Sequence, residues 1–88
     1  MNLSDEQKNR VPVEIYGQQY MIVGTESVEH ILKVAKLVDE KMKEIKRKNS
    51  ALDASQLAVL TAVNAVNDYV KIKEKYEKLK KEADQKNE

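Results

Sequence analysis

The stretch Asp53-Ala54-Ser55-Gln56-Leu57-Ala58-Val59-Leu60-Thr61-Ala62-Val63-Asn64-Ala65-Val66-Asn67-Asp68-Tyr69-Val70 decides the fold. It is apolar on more than one side. From Lys71 onward the apolar residues shrink to a single stripe between charges: Ile72, Tyr76, Leu79 and Ala83. One stripe runs through both parts. Ala58, Ala62, Ala65, Tyr69, Ile72, Tyr76, Leu79 and Ala83 are spaced 4, 3, 4, 3, 4, 3, 4, a period of about 3.5 residues that marks a coiled-coil seam. A second stripe, Val59, Val63, Val66 and Val70, exists only in the first part. A helix with two apolar faces has to bury both, so the first part is expected inside a packed head. The second part can satisfy its seam only against another helix. A helix over 53–83 extends about 46 Å, whereas a small domain is only about 30 Å across. The C-terminal half must overhang the head, and the overhang predicts self-association.

The start of this helix is written clearly. Asp53 with Gln56 makes a capping-box pattern, and Leu52 with Leu57 makes a hydrophobic staple. Asn49 to Leu52 is a short loop, so the helix before it should run antiparallel. That helix, about 27–47, carries Val28, Ile31, Ala35, Val38, Met42 and Ile45 at spacings of 3, 4, 3, 4, 3, widened by Leu32, Val34 and Leu37. Thr25 or Ser27 can cap it, with Glu26 or Glu29 in the first turn, and Lys46, Arg47 and Lys48 complement the dipole at its end. It covers only part of the long helix, and the uncovered remainder starts near Lys71, where the valine stripe also stops.

Upstream, Val11 to Val23 reads as a hairpin. Val11, Val13 and Ile15 alternate with Pro12, Glu14 and Tyr16; Gly17-Gln18 supplies the turn; Tyr20 to Val23 form the second strand, which Gly24 breaks. Pro12 cannot donate to a ladder and belongs at an edge. A lone hairpin is marginal in water, so it needs helices beneath it or a second hairpin from a partner chain. The expected class is α+β: an N-terminal β-hairpin plus two antiparallel α-helices, the second long and extending into a coiled coil, with a dimeric head. Residues 1–10 are expected as a disordered leader, 11–70 as the head and 71–88 as a coiled-coil tail with a frayed end from Gln85.

The chain has 88 residues and no cysteine. A domain of this size has a small core and often leans on oligomerisation. The net charge of +1, with 35% charged residues of both signs, gives no case for nucleic acid. No apolar run approaches the roughly 18 residues of a membrane span, so a cytoplasmic protein is expected.

Catalytic chemistry finds no foothold. His30 is the single histidine, and with no cysteine beside it a transition-metal site is not expected. Gly17 and Gly24 form no phosphate-binding loop. The carboxylates all sit among lysines, with no pair set apart by an apolar surrounding. No cofactor, metal or enzyme activity is expected. Tyr69 and Tyr76 fall on the seam, where core packing explains them better than recognition. Asn64 and Asn67 interrupt the apolar run. They either face the first helix or solvent, or hydrogen-bond across an interface and fix its register. Lys43, Lys46, Arg47 and Lys48 form the densest basic cluster, as a solvated helix end or as a docking patch for an acidic partner.

Several segments carry a family resemblance. They are Val13-Glu14-Ile15-Tyr16-Gly17, then Val38-Asp39-Glu40-Lys41-Met42, then Leu57 through Tyr69 running into a charged coiled coil. Together, over about Val11 to Ala83, they resemble the ZapA family of bacterial cell-division proteins, in the form found in Bacillus-like bacteria. The resemblance implies a small cytosolic protein at the mid-cell division site that binds the tubulin-like GTPase FtsZ and promotes its bundling in support of the Z-ring. It also implies a homodimeric head, with tails that can pair two dimers into a tetramer. Here only about two heptads of seam remain beyond the head, short for an isolated coiled coil, so a dimer is expected in preference to a stable tetramer.

The residues expected at the oligomer interface are Ala58, Ala62, Ala65, Tyr69, Ile72, Tyr76 and Leu79. Lys46, Arg47 and Lys48 are the candidate patch for FtsZ, which is acidic as a family. The alternative class is an oligomeric scaffold that binds nucleic acid through its lysine-rich tail.

Overall fold

A computed structural model describes residues 7–86. Strand β1 spans Asn9–Ile15, β2 spans Gln18–Gly24, helix α1 spans Val28–Lys48 and helix α2 spans Ala54–Lys86. The two strands form one antiparallel hairpin, in register from Asn9 opposite Gly24 to Ile15 opposite Gln18. The expected α+β order is therefore the observed one.

The boundaries differ in instructive ways. The strand begins at Asn9, inside the stretch expected as a leader; the first six residues of that stretch lie outside the described ones. Alternation starts only at Val11, but the Asn9 amide anchors the chain earlier by donating to the Glu26 carbonyl oxygen at 2.6 Å. The turn is Tyr16-Gly17, one residue before the expected pair. Both residues have positive φ, 50° and 76°, as a two-residue hairpin of matching twist requires. A glycine takes that conformation freely, whereas Tyr16 does so at a cost of about 1–2 kcal/mol. Its backbone N–H is held by the Asp39 Oδ1 at 2.7 Å. At the other end, α2 continues through Gln85 to Lys86, beyond the point where fraying is expected.

Helix α1 is capped by Ser27, whose hydroxyl accepts from the His30 backbone N–H at 3.1 Å. The start of α2 is the reciprocal arrangement its sequence announces. The Gln56 N–H donates to the Asp53 Oδ1 at 2.7 Å, and the Asp53 N–H donates to the Gln56 Oε1 at 3.1 Å, satisfying two otherwise orphaned donors.

The core lies between β1 and α1, where Val11, Val13, Ile31 and Ala35 are buried and Ile15 and Ile22 pack against them. A smaller contact joins α1 to α2 through Leu57, only 1% exposed, and Thr61. The Thr61 hydroxyl donates back to the Leu57 carbonyl at 2.7 Å, so its burial leaves no unpaired group. Farther along α2, Lys41 of α1 pairs with Asp68 at 3.3 Å. From Tyr69 to Gln85 every residue is exposed. The chain measures 53 × 47 × 19 Å, a flat plate scarcely two layers thick.

Candidate functional site

Four triplets explain how α2 distributes its faces: Leu57-Ala58-Val59, Thr61-Ala62-Val63, Asn64-Ala65-Val66 and Asp68-Tyr69-Val70. Successive residues stand about 100° apart round an α-helix. The first position of each triplet therefore faces α1: Leu57 and Thr61 are buried there, and Asp68 is half-buried in its ion pair. The middle positions are the seam. The third positions are the valine stripe, on the far flank.

The structure brings the expected seam residues onto one continuous exposed line. Ala58, Ala62 and Ala65 are exposed, and so are Tyr69 at 60%, Ile72 at 68%, Tyr76 at 64% and Leu79 at 55%. The valine stripe was expected to be buried inside the head. Within one chain it is not: Val59, Val63 and Val66 are each more than half exposed. The physical reason is that α1 is a single helix and covers a single face, the one that begins with Leu57. On the face of the tail opposite the seam, Glu74, Glu77, Lys78 and Lys81 line a shallow cleft.

Beside the head of the seam lies an apolar groove of about 580 Å³. Ile15, Tyr20, Met21 and Met42 line it, and its wall on α2 is Ala54 and Ala58. In the sequence Tyr20 and Met21 are simply strand residues; in the structure they are 52% and 55% exposed.

The basic triad at the end of α1 is not three equivalent cations. Lys46 folds over the turn, its ammonium donating to the Ser50 carbonyl at 2.8 Å and the Leu52 carbonyl at 2.6 Å. Lys48 pairs with Glu44 at 3.3 Å, an exposed i,i+4 contact worth a few tenths of a kcal/mol. The Arg47 side chain is exposed, with no ion pair or hydrogen bond among the described residues. Lys43 pairs with Asp39 at 2.9 Å. The hydrogen bond from Lys43, with that from the Tyr16 N–H, holds the Asp39 carboxyl below the usual carboxylate range. The same bond holds the Lys43 ammonium above its ordinary value. Asp39 therefore has a structural task, bracing the hairpin turn, that no periodicity points to.

Asn64 and Asn67 line the crevice between the helices, beside Ile45, Lys48 and Leu52. His30 sits at the mouth of a shallow cleft with Glu26 and Val34. Among the described residues no cluster of potential metal ligands occurs, and no helix is long and apolar enough to cross a membrane.

Comparison with known proteins agrees with this architecture. The model of the family described as Cell division protein ZapA matches residues 11–88. A Cell division protein ZapA from Geobacillus sp. (strain WCH70) is 61% identical over 77 residues, covering 88% of each chain. One from Bacillus mycoides (strain KBAB4) is 60% identical over 79 residues, covering 90% of this chain and 89% of its own. Among solved structures, a ZapA mutant dimer from Geobacillus stearothermophilus superposes with a TM-score of 0.71 at 52% identity, over 85% of this chain and 87% of that one. A hairpin on two helices, the second overhanging with an exposed seam, and relatives of this kind over nearly its whole length establish that the chain belongs to the ZapA family of cell-division proteins.

Proposed function

We propose that this chain is a non-enzymatic division protein that binds FtsZ in the cytoplasm at mid-cell and bundles its filaments, acting as a homodimer. The observation that carries the reading is the exposed seam from Ala58 to Leu79 on a chain of this family. An apolar line of that length in water favours a second helix against it, and alanines at 58, 62 and 65 let two backbones approach closely. A dimer presents two identical docking surfaces. Once one is bound, the other meets a neighbouring filament at a raised effective concentration, which suffices for cross-linking. The seam positions beyond the head, Ile72, Tyr76 and Leu79, extend the pairing.

The docking surface is the end of α1 and the adjoining turn. Arg47 is its centre and Lys48 its neighbour, the Glu44 pairing of Lys48 being cheap to exchange for an acidic partner. Lys46 contributes by holding the turn.

The test is co-pelleting with purified FtsZ and GTP at two salt concentrations. The wild-type chain should raise the FtsZ fraction in the pellet, more strongly at low salt. Ala65→Glu or Ile72→Glu should yield a monomer that binds without bundling. Bundling at the wild-type level by a monomer would refute the mechanism. Arg47→Ser with Lys48→Ser, leaving Lys46 in place, should weaken binding and flatten its salt dependence; unchanged affinity would remove the patch.

A further inference from the structure

Tyr16 breaks a local rule. It takes the first position of a two-residue turn with φ 50°, where asparagine or glycine is favoured. A strained backbone of this kind persists only where its surroundings over-determine it. Here a single carboxylate supplies the hold. Asp39 Oδ1 accepts from the Tyr16 backbone N–H at 2.7 Å, and Asp39 Oδ2 accepts from the Lys43 Nζ at 2.9 Å. One oxygen meets the strained turn, and the other is fixed by a cation of the same helix. We propose that this contact is a latch: the hairpin is a flap, hinged at residues 24–27 and fastened at its tip by Asp39, which opens as a unit while the two helices stay folded.

The packing divides along that line. The hairpin meets α1 through one small apolar patch, in which Val11 and Val13 bury against Ile31 and Ala35. The helices hold each other elsewhere, through Leu57, Thr61 and the pair of Lys41 with Asp68. No hairpin residue takes part in that second contact, so losing the first leaves it intact. A two-stranded hairpin is marginal in water by itself, so strands that leave α1 also lose their ladder.

A polar contact stands at each end of the hairpin. At the base, the Asn9 amide donates to the Glu26 carbonyl oxygen at 2.6 Å. That bond lies at the hinge and offers little resistance to rotation about it. At the tip, Asp39 acts one strand length away, about 20 Å for the seven residues of β1. The strain at Tyr16 pushes the flap open, because an opened turn relieves it; the Asp39 bond opposes that push. The apolar groove depends on the balance. Its lining is shared between the flap, with Ile15, Tyr20 and Met21, and the helices, with Met42, Ala54 and Ala58. With the flap open the two walls part.

The test is hydrogen exchange on the full chain, followed amide by amide by NMR. Asp39→Ala should speed exchange of the β1 and β2 amides about tenfold, as loss of one hydrogen bond to a charged group predicts. The amides of α2 around Leu57 and Thr61 should exchange at the wild-type rate. Tyr16→Asn, in which the new residue enters the left-handed region more readily, should slow the hairpin amides about threefold and also spare α2. Equal acceleration of hairpin and helices in Asp39→Ala would make the chain one cooperative unit and overturn the flap. Unchanged hairpin exchange in that variant would overturn the latch. Unchanged or faster hairpin exchange in Tyr16→Asn would overturn the strain that the latch is held to oppose.

Discussion

Between Val28 and Asp68 the two helices hold each other; between Tyr69 and Gln85 the long helix holds nothing of its own chain. Both stretches of α2 share one apolar period, yet Leu57 is 1% exposed and Ile72 is 68% exposed. The difference does not lie in the seam itself. The seam of the tail is as regular as that of the head. What differs is the presence of a face one position before the seam, filled by Leu57 and Thr61 in the head and by Lys71 and Lys75 in the tail. The seam therefore faces outward along its whole length, and the residue that precedes it decides whether the helix also builds an intramolecular core.

The sharpest way to break this comparison is Leu57→Ala, which should cost about 2–5 kcal/mol, a large share of the stability of a small domain. Ile72→Ala, measured by the same urea titration at a chain concentration low enough to leave the seam unpaired, should stay within about 0.5 kcal/mol. Equal losses would mean that the tail is packed in the monomer. Asp53→Ala removes the carboxylate from the capping box and should lower stability by about 1 kcal/mol, read as a shifted urea midpoint with an unchanged slope.

The brace on the hairpin turn gives a pH signature. Asp39 has a lowered pKa, from the Lys43 and Tyr16 hydrogen bonds. Its stabilising contribution is complete above the unfolded value of about 4 and is lost as pH falls through the lowered folded value. Lys43 has a raised pKa, so its contribution is complete below about pH 10.4 and is lost as pH rises through the raised value. Asp39→Asn should flatten both edges of a plot of melting temperature against pH; edges as steep as in wild type would rule the brace out. A small effect also belongs to the ion pair of Lys41 with Asp68. A double-mutant cycle should return under about 1 kcal/mol, since both groups keep contact with water.

Much of this was legible in the residues. The capping box, the two helices and the hairpin declare themselves through local chemistry, and the seam through its spacing; the cap of α1 is open between Thr25 and Ser27 until the Ser27 hydroxyl is seen to accept from the His30 N–H. The misplaced features depend on distant partners. Tyr16 occupies a backbone region that favours glycine because Asp39, 23 residues away, accepts from its N–H. Asn9 enters the strand because its amide reaches Glu26. Lys46 looked like part of a surface patch because its spacing could not show a side chain turned back over the loop. The face of α2 toward α1 was hidden for a different reason. It runs Leu57, Thr61, Asn64, Asp68, losing apolar character as it goes, so a search for apolar stripes passes over it. The valine stripe is the converse: its pattern was plain, and one chain alone does not cover it.

The capping box at Asp53 has a further consequence, for phase. By pinning the residue at which α2 begins, it sets the azimuth of every later position. Removing one residue between Val70 and Ile72 would rotate the tail by about 100° against the head, and the seam would break into two arcs that no single straight partner could follow. Removing seven would leave the arcs aligned and only shorten the rod. In this molecule length can be traded in whole heptads, while direction is set once, by two hydrogen bonds at the helix start.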